Sequence, residues 1–206
     1  ERGNVFISHR SGAVLPGNST CKTCGGWNLV TLGIGIDRVE NEVAKSFPDA
    51  PLFTLTKDSA PTHKKASKIA DTFYATNGAL MMGTERMLPY LKKSVETVVI
   101  ASVDSMLGRP EWRADEHALS ILFYLYELSE TNFIVETRKP DHEVIRTLTQ
   151  GNPSDFYRAQ VEERERYSYP PFTVFIGLTW HGTENASKKA EATVKDIFKD
   201  VDLVGP

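Results

Sequence analysis

The chain has 206 residues and a formal net charge of −3 at pH 7, so it lacks the overall positive field that draws many proteins to nucleic acid. Its composition, 40% hydrophobic and 25% charged, is ordinary for a folded globular protein. No run approaches the roughly 20 apolar residues of a membrane helix, and no cleavable signal pattern opens the chain. These features predict a cytoplasmic protein without a membrane partner, in which any contact with DNA is local.

Changes in composition divide the chain into four predicted segments. Residues 1–28 hold two glycine-rich patches and the only two cysteines, which predicts a short zinc-knuckle-like module. Residues 29–150 alternate apolar strand-like runs with amphipathic helix-like runs, a pattern typical of βαβ units around a parallel sheet. Residues 151–171 form a helical connector, and residues 172–206 are the start of a small, truncated α+β domain. Because the chain starts without methionine, we expect it to be part of a longer protein.

In chain order, the predicted strands of the sheet are residues 29–32, 52–55, 79–82, 97–103 and 132–136. The predicted helices between them are residues 37–47, 62–76, 85–92 and 113–130. Two short charged helices at 141–150 and 155–167 follow, each opened by a proline. Pro170-Pro171 ends the connector. The last segment is predicted as a strand at 172–180, a helix at 184–199 and the start of a strand at 202–204.

Cys21 and Cys24 have the spacing of one zinc knuckle, because two thiolates on a tight turn can face one tetrahedral ion. The pair supplies half of a site, and His9 is the nearest nitrogen ligand, so the local sequence lacks a fourth ligand. Two interpretations stand: a zinc site formed by Cys21, Cys24 and His9, and a relic turn whose cysteines stay reduced in the cytosol. For the isolated chain we expect substoichiometric zinc.

Five motifs follow the cysteine pair in a fixed order. They are Gly33-Ile-Gly-Ile-Asp-Arg-Val-Glu40, Gly83-Thr-Glu-Arg-Met87, Val98-Val-Ile-Ala-Ser-Val-Asp104, Pro110-Glu-Trp-Arg-Ala-Asp-Glu116 and Arg164-Glu-Arg-Tyr-Ser-Tyr-Pro-Pro-Phe172. Together they resemble the primosomal protein N′ (PriA) family of replication-restart DNA helicases. The resemblance implies the second RecA-like lobe of an ATP-dependent helicase that moves 3′ to 5′ at stalled forks. It also implies zinc, ATP and magnesium as cofactors of the complete enzyme. The implied partners are forked or single-stranded DNA, replication-restart proteins and single-stranded-DNA-binding protein.

The chain departs from this family where ATP is hydrolysed. It has no Gly-x-x-x-x-Gly-Lys-Ser/Thr loop, which the resemblance assigns to a first lobe outside this chain. In register with the family's Gln-Val-Ala-Gly-Arg-Ala-Gly-Arg motif, Tyr124 replaces the glutamine, and Leu128 and Thr131 replace the two arginines that reach the γ-phosphate. An arginine finger contributes about 10³–10⁵ in rate, so we expect this chain alone to be inactive as an ATPase and to act in DNA binding or scaffolding. Residues 119–128 are instead predicted to form a core helix.

Gly83, Thr84 and Glu85 lie where a predicted strand ends and a helix begins, a position where backbone amides and the Thr84 hydroxyl can hold a phosphate. By resemblance this is helicase motif V, which contacts the DNA backbone; a simple helix cap at Thr84 is the equal alternative. Gly33 and Gly35 begin a dinucleotide fingerprint, but Arg38 stands at its third glycine, which favours a plain turn. The alternative functions are a nucleotide-binding α/β enzyme that uses both glycine turns and a protein-interaction module.

The residues predicted to contact DNA are Thr84, Arg86, Lys92, Lys93, Arg164, Arg166 and Tyr169. The last three precede Pro170, and there the tyrosine ring can stack on an unpaired base. Glutamates at 162, 163 and 165 alternate with the two arginines, so ion pairing along a solvated helix is the competing interpretation. Because all plausible contacts are to phosphates, the predicted binding is weak, salt-sensitive and independent of sequence.

Overall fold

The computed structural model describes residues 5–7, 14–16, 19–20, 25–26, 34–109, 111–179 and 182–199. Its contacts separate the chain into two units, Glu1–Tyr157 and Arg158–Pro206. The boundary falls within the predicted connector at residues 151–171. In the described ranges no helix combines the length and the apolar character that crossing a bilayer requires.

Strands and helices alternate along the first unit, as the sequence predicts for an α/β fold. Its elements are β1 (Val5–Ile7), β2 (Val14–Pro16), α1 (Ile36–Ser46), β3 (Leu52–Leu55), α2 (His63–Tyr74), β4 (Leu80–Gly83), a 3-10 helix (Glu85–Tyr90), β5 (Val95–Ile100), α3 (Asp104–Leu107), α4 (Ala114–Leu128), β6 (Ser129–Val135) and α5 (Glu143–Gln150). Helix α6 (Ser154–Arg166) crosses the boundary between the units, and α7 (Glu184–Ile197) belongs to the second. The predicted helices at 37–47, 62–76 and 113–130 are thus confirmed as α1, α2 and α4.

The strands of the α/β region pair into two short parallel sheets. Strand β3 pairs with β4 from Leu52 opposite Leu80 onward, and β5 pairs with β6 up to Ile100 opposite Val135. Parallel pairing with intervening helices confirms the βαβ interpretation. The expectation of one parallel sheet is wrong for the described strands, because β4 and β5 share no ladder of hydrogen bonds. The predicted strand at residues 29–32 lies outside the described residues.

Two predicted elements differ from the structure. The helix predicted at residues 85–92 is a six-residue 3-10 helix with Pro89 inside it, because proline lacks the N–H that an α-helix needs. The strand predicted at 172–180 does not form across 172–179, since no described strand pairs with that segment. In the N-terminal module, β1 and β2 form an antiparallel pair that the sequence reading did not predict.

The larger core of the first unit surrounds α4. Ala118, Leu119, Leu122 and Leu125 are buried on this helix, as predicted for a core helix at 119–128. One face of the β5–β6 sheet covers the same cluster. The buried residues that complete it are Val103, Met106, Leu107, Ile121, Val144, Ile145 and Phe156.

A smaller core lies between α2, β3 and the 3-10 helix, and its buried members are Leu55, Ala60, Ala66, Ala70 and Tyr90. Ala66 and Ala70 are four residues apart, so they share one face of α2 and let the helix approach β3 closely. Helix α2 begins at Thr62, whose hydroxyl accepts a hydrogen bond from the Lys65 amide at 3.3 Å. This packing turns the opposite face of α2 towards solvent.

The second unit contains α7 and the aromatic turn that follows α6. The Tyr169 ring lies 5.8 Å from Phe175 and 6.1 Å from Tyr167, measured between ring centres. Helix α7 begins at Thr183, whose hydroxyl accepts from the Ala186 amide, and it confirms the helix predicted at 184–199. The predicted strand at 202–204 lies outside the described residues.

Candidate nucleic-acid interface

The Gly83 turn stands at the carboxyl end of β4. A Cβ atom on Gly83 would collide with the Leu55 carbonyl of β3, so close packing of the two strands requires glycine here whether or not a phosphate binds. Thr84 is extended, with φ −98° and ψ −179°, and its side chain makes no cap hydrogen bond. The threonine therefore precedes the 3-10 helix without capping it through its hydroxyl.

Glu85, the third residue of this turn, is held by two residues that the sequence analysis did not single out. Its carboxylate pairs with the Arg109 guanidinium and lies 3.3 Å from His117 Nε2. Arg109 follows β5 and α3, and His117 is in the first turns of α4, so the contact joins three parts of the chain. The carboxylate adds negative charge where the phosphate was predicted, and Arg109 offsets it.

A second polar junction joins the ends of β5 and β6. The buried Asp104 carboxylate accepts hydrogen bonds from the Thr137 hydroxyl at 2.7 Å and from the Arg138 amide at 3.2 Å. Arg138 Nε lies 4.0 Å from the same carboxylate, and its side chain is largely exposed. Since parallel strands end at a common edge, this junction and the Glu85 contact both follow carboxyl ends of strands, where α/β sheets usually bind ligands.

The three positions predicted to depart from the family's arginine motif, Tyr124, Leu128 and Thr131, differ in their surroundings. The Tyr124 hydroxyl donates a hydrogen bond to the Leu91 carbonyl at 2.8 Å. Leu128 is the last residue of α4 and packs against the larger core. Thr131 is exposed on β6. None of these side chains supplies a positive charge.

Arg86, predicted as a DNA contact, makes hydrogen bonds within the chain. Its Nη2 atom donates to the carbonyls of Ala60 and Pro61 at 3.2 and 3.3 Å. These carbonyls lie in the loop between β3 and α2, so Arg86 fixes the start of α2 against the 3-10 helix.

Lys92 and Lys93 are exposed in the loop that follows the 3-10 helix, and this loop is fastened to α2. The Tyr74 hydroxyl accepts from the amides of Lys92 and Lys93 at 3.2 and 3.4 Å and donates to the Lys93 carbonyl at 3.1 Å. Lys92 Nζ is 4.0 Å from Asp71 Oδ1, and Lys93 Nζ is 5.8 Å from the centre of the Tyr74 ring. The two lysines therefore share a surface with α2.

Helix α2 also carries three lysines that were not among the predicted DNA contacts. Lys64, Lys65 and Lys68 are exposed on α2. An open groove of about 670 Å³ follows the helix and is lined by His63, Lys64, Ser67, Lys68, Asp71, Thr72 and Ala75. The signal was present in the run His63-Lys-Lys-Ala-Ser-Lys68, where two lysines four residues apart share one face of a predicted helix. We call Lys64, Lys65, Lys68, Lys92 and Lys93 the lysine surface.

The remaining predicted DNA contacts lie at the end of α6. The Arg164 carbonyl accepts a hydrogen bond from the Tyr169 amide at 2.8 Å, so a tight turn joins the two residues. Arg166 is exposed in the last turn of α6. The Tyr169 ring, proposed to stack on a base, is partly covered by Tyr167 and Phe175.

The predicted zinc ligands Cys21, Cys24 and His9 lie outside the described residues, as does Gly33 of the first glycine turn. Gly35 precedes α1 with a φ of 76°, a conformation that glycine adopts readily. Within the described part of the chain, no group of three or more histidine, cysteine or acidic residues is placed to hold a metal ion. The zinc site therefore stays a prediction.

Comparison with known proteins points to one kind of relative, although no protein-family model matches the chain. The replication restart protein PriA of Bacillus subtilis (strain 168) is 24% identical over 99% of this chain and 27% of its own length. The PriA protein of Haemophilus influenzae is 24% identical over 82% of this chain and 24% of its own length. That of Synechocystis sp. is 26% identical over 90% of this chain and 24% of its own length. The chain spans about a quarter of these relatives, and over that span it is a divergent relative of the replication restart protein PriA.

Proposed function

We propose that the chain acts in DNA replication restart as the second RecA-like lobe of a PriA-like protein and that it binds forked or single-stranded DNA. The observation that carries this proposal is the similarity to the replication restart protein PriA over 99% of the chain. The α/β architecture with parallel strands agrees with a RecA-like lobe. The exposed lysines on α2 and in the loop after the 3-10 helix supply the positive charge that phosphate binding needs.

In this proposal the chain positions DNA and contributes no arginine finger from the replaced motif. Leu128 is packed against the core and Thr131 has no charge, so neither side chain can stabilise the γ-phosphate in the transition state. Hydrolysis of ATP with magnesium is either lost or depends on groups that this chain does not contain. Zinc bound by Cys21, Cys24 and His9, and contacts with replication-restart proteins and single-stranded-DNA-binding protein, are further parts of the proposal.

Fluorescence anisotropy with labelled single-stranded, forked and blunt duplex DNA of equal length tests the proposed function. We expect binding at low salt that weakens steeply as salt is added and that does not depend on base sequence, because phosphate contacts release counterions. An ATPase assay of the same chain with and without DNA should give no turnover. Absence of DNA binding at low salt would contradict the proposed function.

A nucleotide-binding α/β enzyme is supported less well by the geometry. Gly83 is explained by its contact with the Leu55 carbonyl, and Glu85 places a carboxylate at the predicted phosphate. A mononucleotide or dinucleotide at a hundred times its dissociation constant would raise the free energy of unfolding by about 2.7 kcal/mol. We expect no such stabilisation in thermal unfolding with ATP, ADP or NAD.

A further inference from the structure

Two lysines of α2 point away from the smaller core. Ala66 and Ala70 are buried, which turns Lys64 and Lys68 outward on the other side of the helix. Both lysines line the groove that follows α2 as far as Ala75. Because four residues rise about 6 Å along a helix, these two positions are aligned along the groove and not side by side across it.

The surroundings of the groove favour an extended anion. Lys64 and Lys68 line the groove together with one acidic residue, Asp71, and Lys92 Nζ lies 4.0 Å from the Asp71 carboxylate. The positive end of the α2 dipole lies near Lys64 and Lys65. The chain as a whole carries a net charge of −3, so this concentration of positive charge is local.

The lysine surface is also held in shape. Arg86 binds the loop that leads into α2, and Tyr74 binds the loop that carries Lys92 and Lys93. Hydrogen bonds therefore hold the backbone at the start of α2 and the loop beside its last turn before a ligand arrives. Lysines on a held backbone lose less conformational entropy on binding than the same lysines on a free loop.

We propose that the lysine surface binds the phosphate backbone of DNA, with the strand following the groove along α2. This inference rests on the proposed function and assigns the DNA contacts to residues other than those of the Gly83 turn. The contacts are charge contacts from ammonium groups, so they position a strand without reading its bases.

The composition of the groove distinguishes DNA from an acidic peptide as the occupant. Protein partners usually insert aromatic or aliphatic anchors into apolar pockets. The lining here is His63, Lys64, Ser67, Lys68, Asp71 and Thr72, with Ala75 as the apolar member, so it offers no such pocket. Hydroxyl and ammonium groups instead donate hydrogen bonds of the kind that phosphate oxygens accept.

The test is the double variant Lys64→Gln/Lys68→Gln of the full chain, compared with Lys189→Gln/Lys199→Gln on and just after α7. Both variants remove two exposed positive charges, and glutamine keeps the helix propensity of lysine. The probe is a fluorescein-labelled dT oligonucleotide, titrated at several salt concentrations starting at about 50 mM. Circular dichroism of both variants checks that the fold is retained.

We expect the α2 variant to bind the oligonucleotide several-fold more weakly at low salt. Its plot of log K against log salt concentration should be shallower by about 1.4, because each single-strand phosphate contact contributes about 0.7. The α7 variant should keep the slope of the unmodified chain.

Four outcomes overturn the inference. If the unmodified chain binds and the α2 variant binds equally well, the lysine surface is not the binding site, but the proposed function stands. If the unmodified chain does not bind at all, both the inference and the proposed function are wrong. An equal loss in the α7 variant would show a general charge effect. Displacement of the oligonucleotide by a polyglutamate peptide at equal concentration of charge would assign the groove to acidic peptides.

Discussion

The two cores of the first unit differ in what they leave at the surface. Around α4 the core consists mainly of aliphatic side chains, and Leu128, predicted to stand at the position of a motif arginine, packs against it. Around α2 the core is built on Ala66 and Ala70, and the opposite face of the helix displays lysines. The α4 side thus presents a broad apolar core, while α2 combines a small core with a charged exterior. From this difference we expect stability to depend on the α4 side and the proposed DNA binding to depend on the α2 side.

The largest expected effect comes from truncation of the α4 core. Leu122 is fully buried, so Leu122→Ala should lower the free energy of unfolding by about 2–5 kcal/mol through lost burial and a residual cavity. Urea unfolding followed by circular dichroism measures this change. Ser120→Ala, at an exposed position of the same helix, is the matched control and should stay within about 0.5 kcal/mol. A loss below about 1 kcal/mol for Leu122→Ala would show that α4 is not the main source of stability.

The turn after β4 gives the next prediction. Gly83→Ala places a Cβ atom against the Leu55 carbonyl, and the resulting overpacking should cost about 1–3 kcal/mol of unfolding free energy. Gly177→Ala is the control, because nothing lies within 4 Å of a Cβ built there. If Gly83→Ala weakens DNA binding but leaves urea unfolding unchanged, the glycine serves a phosphate and not the β3–β4 contact.

Arginine substitutions separate Leu128 and Thr131, the two positions predicted to stand in place of the motif arginines. Leu128→Arg removes a partly buried side chain from the larger core and should lower the free energy of unfolding by about 1–2 kcal/mol. Thr131→Arg, on the exposed side of β6, should change it by less than about 0.5 kcal/mol. Thermal and urea unfolding of the two single variants provide the comparison. Equal tolerance of both arginines would mean that Leu128 has no packing role.

Local patterns predicted much of the fold. The spacing of apolar residues located α1, α2 and α4 and identified α4 as a core helix, because a helix buries one face at short sequence intervals. The alternation of strands and helices predicted parallel pairing. The segment Glu85–Tyr90 was predicted as part of a longer α-helix, but it is a short 3-10 helix. The prediction did not take into account that Pro89, inside the segment, cannot donate an α-helical hydrogen bond.

Contacts between distant residues could not be predicted in the same way. Glu85 meets Arg109 and His117 across 24 and 32 residues of sequence, and no periodic signal links them. The lysine surface is an intermediate case. Its α2 members could have been predicted from the helix. Their proximity to Lys92 and Lys93 depends on hydrogen bonds between Tyr74 and residues 18 and 19 positions away in sequence.

The smallest expected effect concerns that tyrosine. Tyr74→Phe keeps the ring beside Lys93 and removes the hydroxyl that binds the backbone of both loop lysines, at a cost of about 0.5–1 kcal/mol for hydrogen bonds that water partly replaces. Tyr126→Phe, whose ring packs on Phe133 in the other core, is the matched control. The charge of the lysine surface is unchanged in Tyr74→Phe, so the salt dependence of DNA binding should keep its slope while the affinity falls slightly, because the loop must be ordered on binding. A shallower slope would instead mean that the phenol holds Lys92 and Lys93 in contact with phosphates, and unchanged affinity would mean that the α2 lysines bind DNA without the loop.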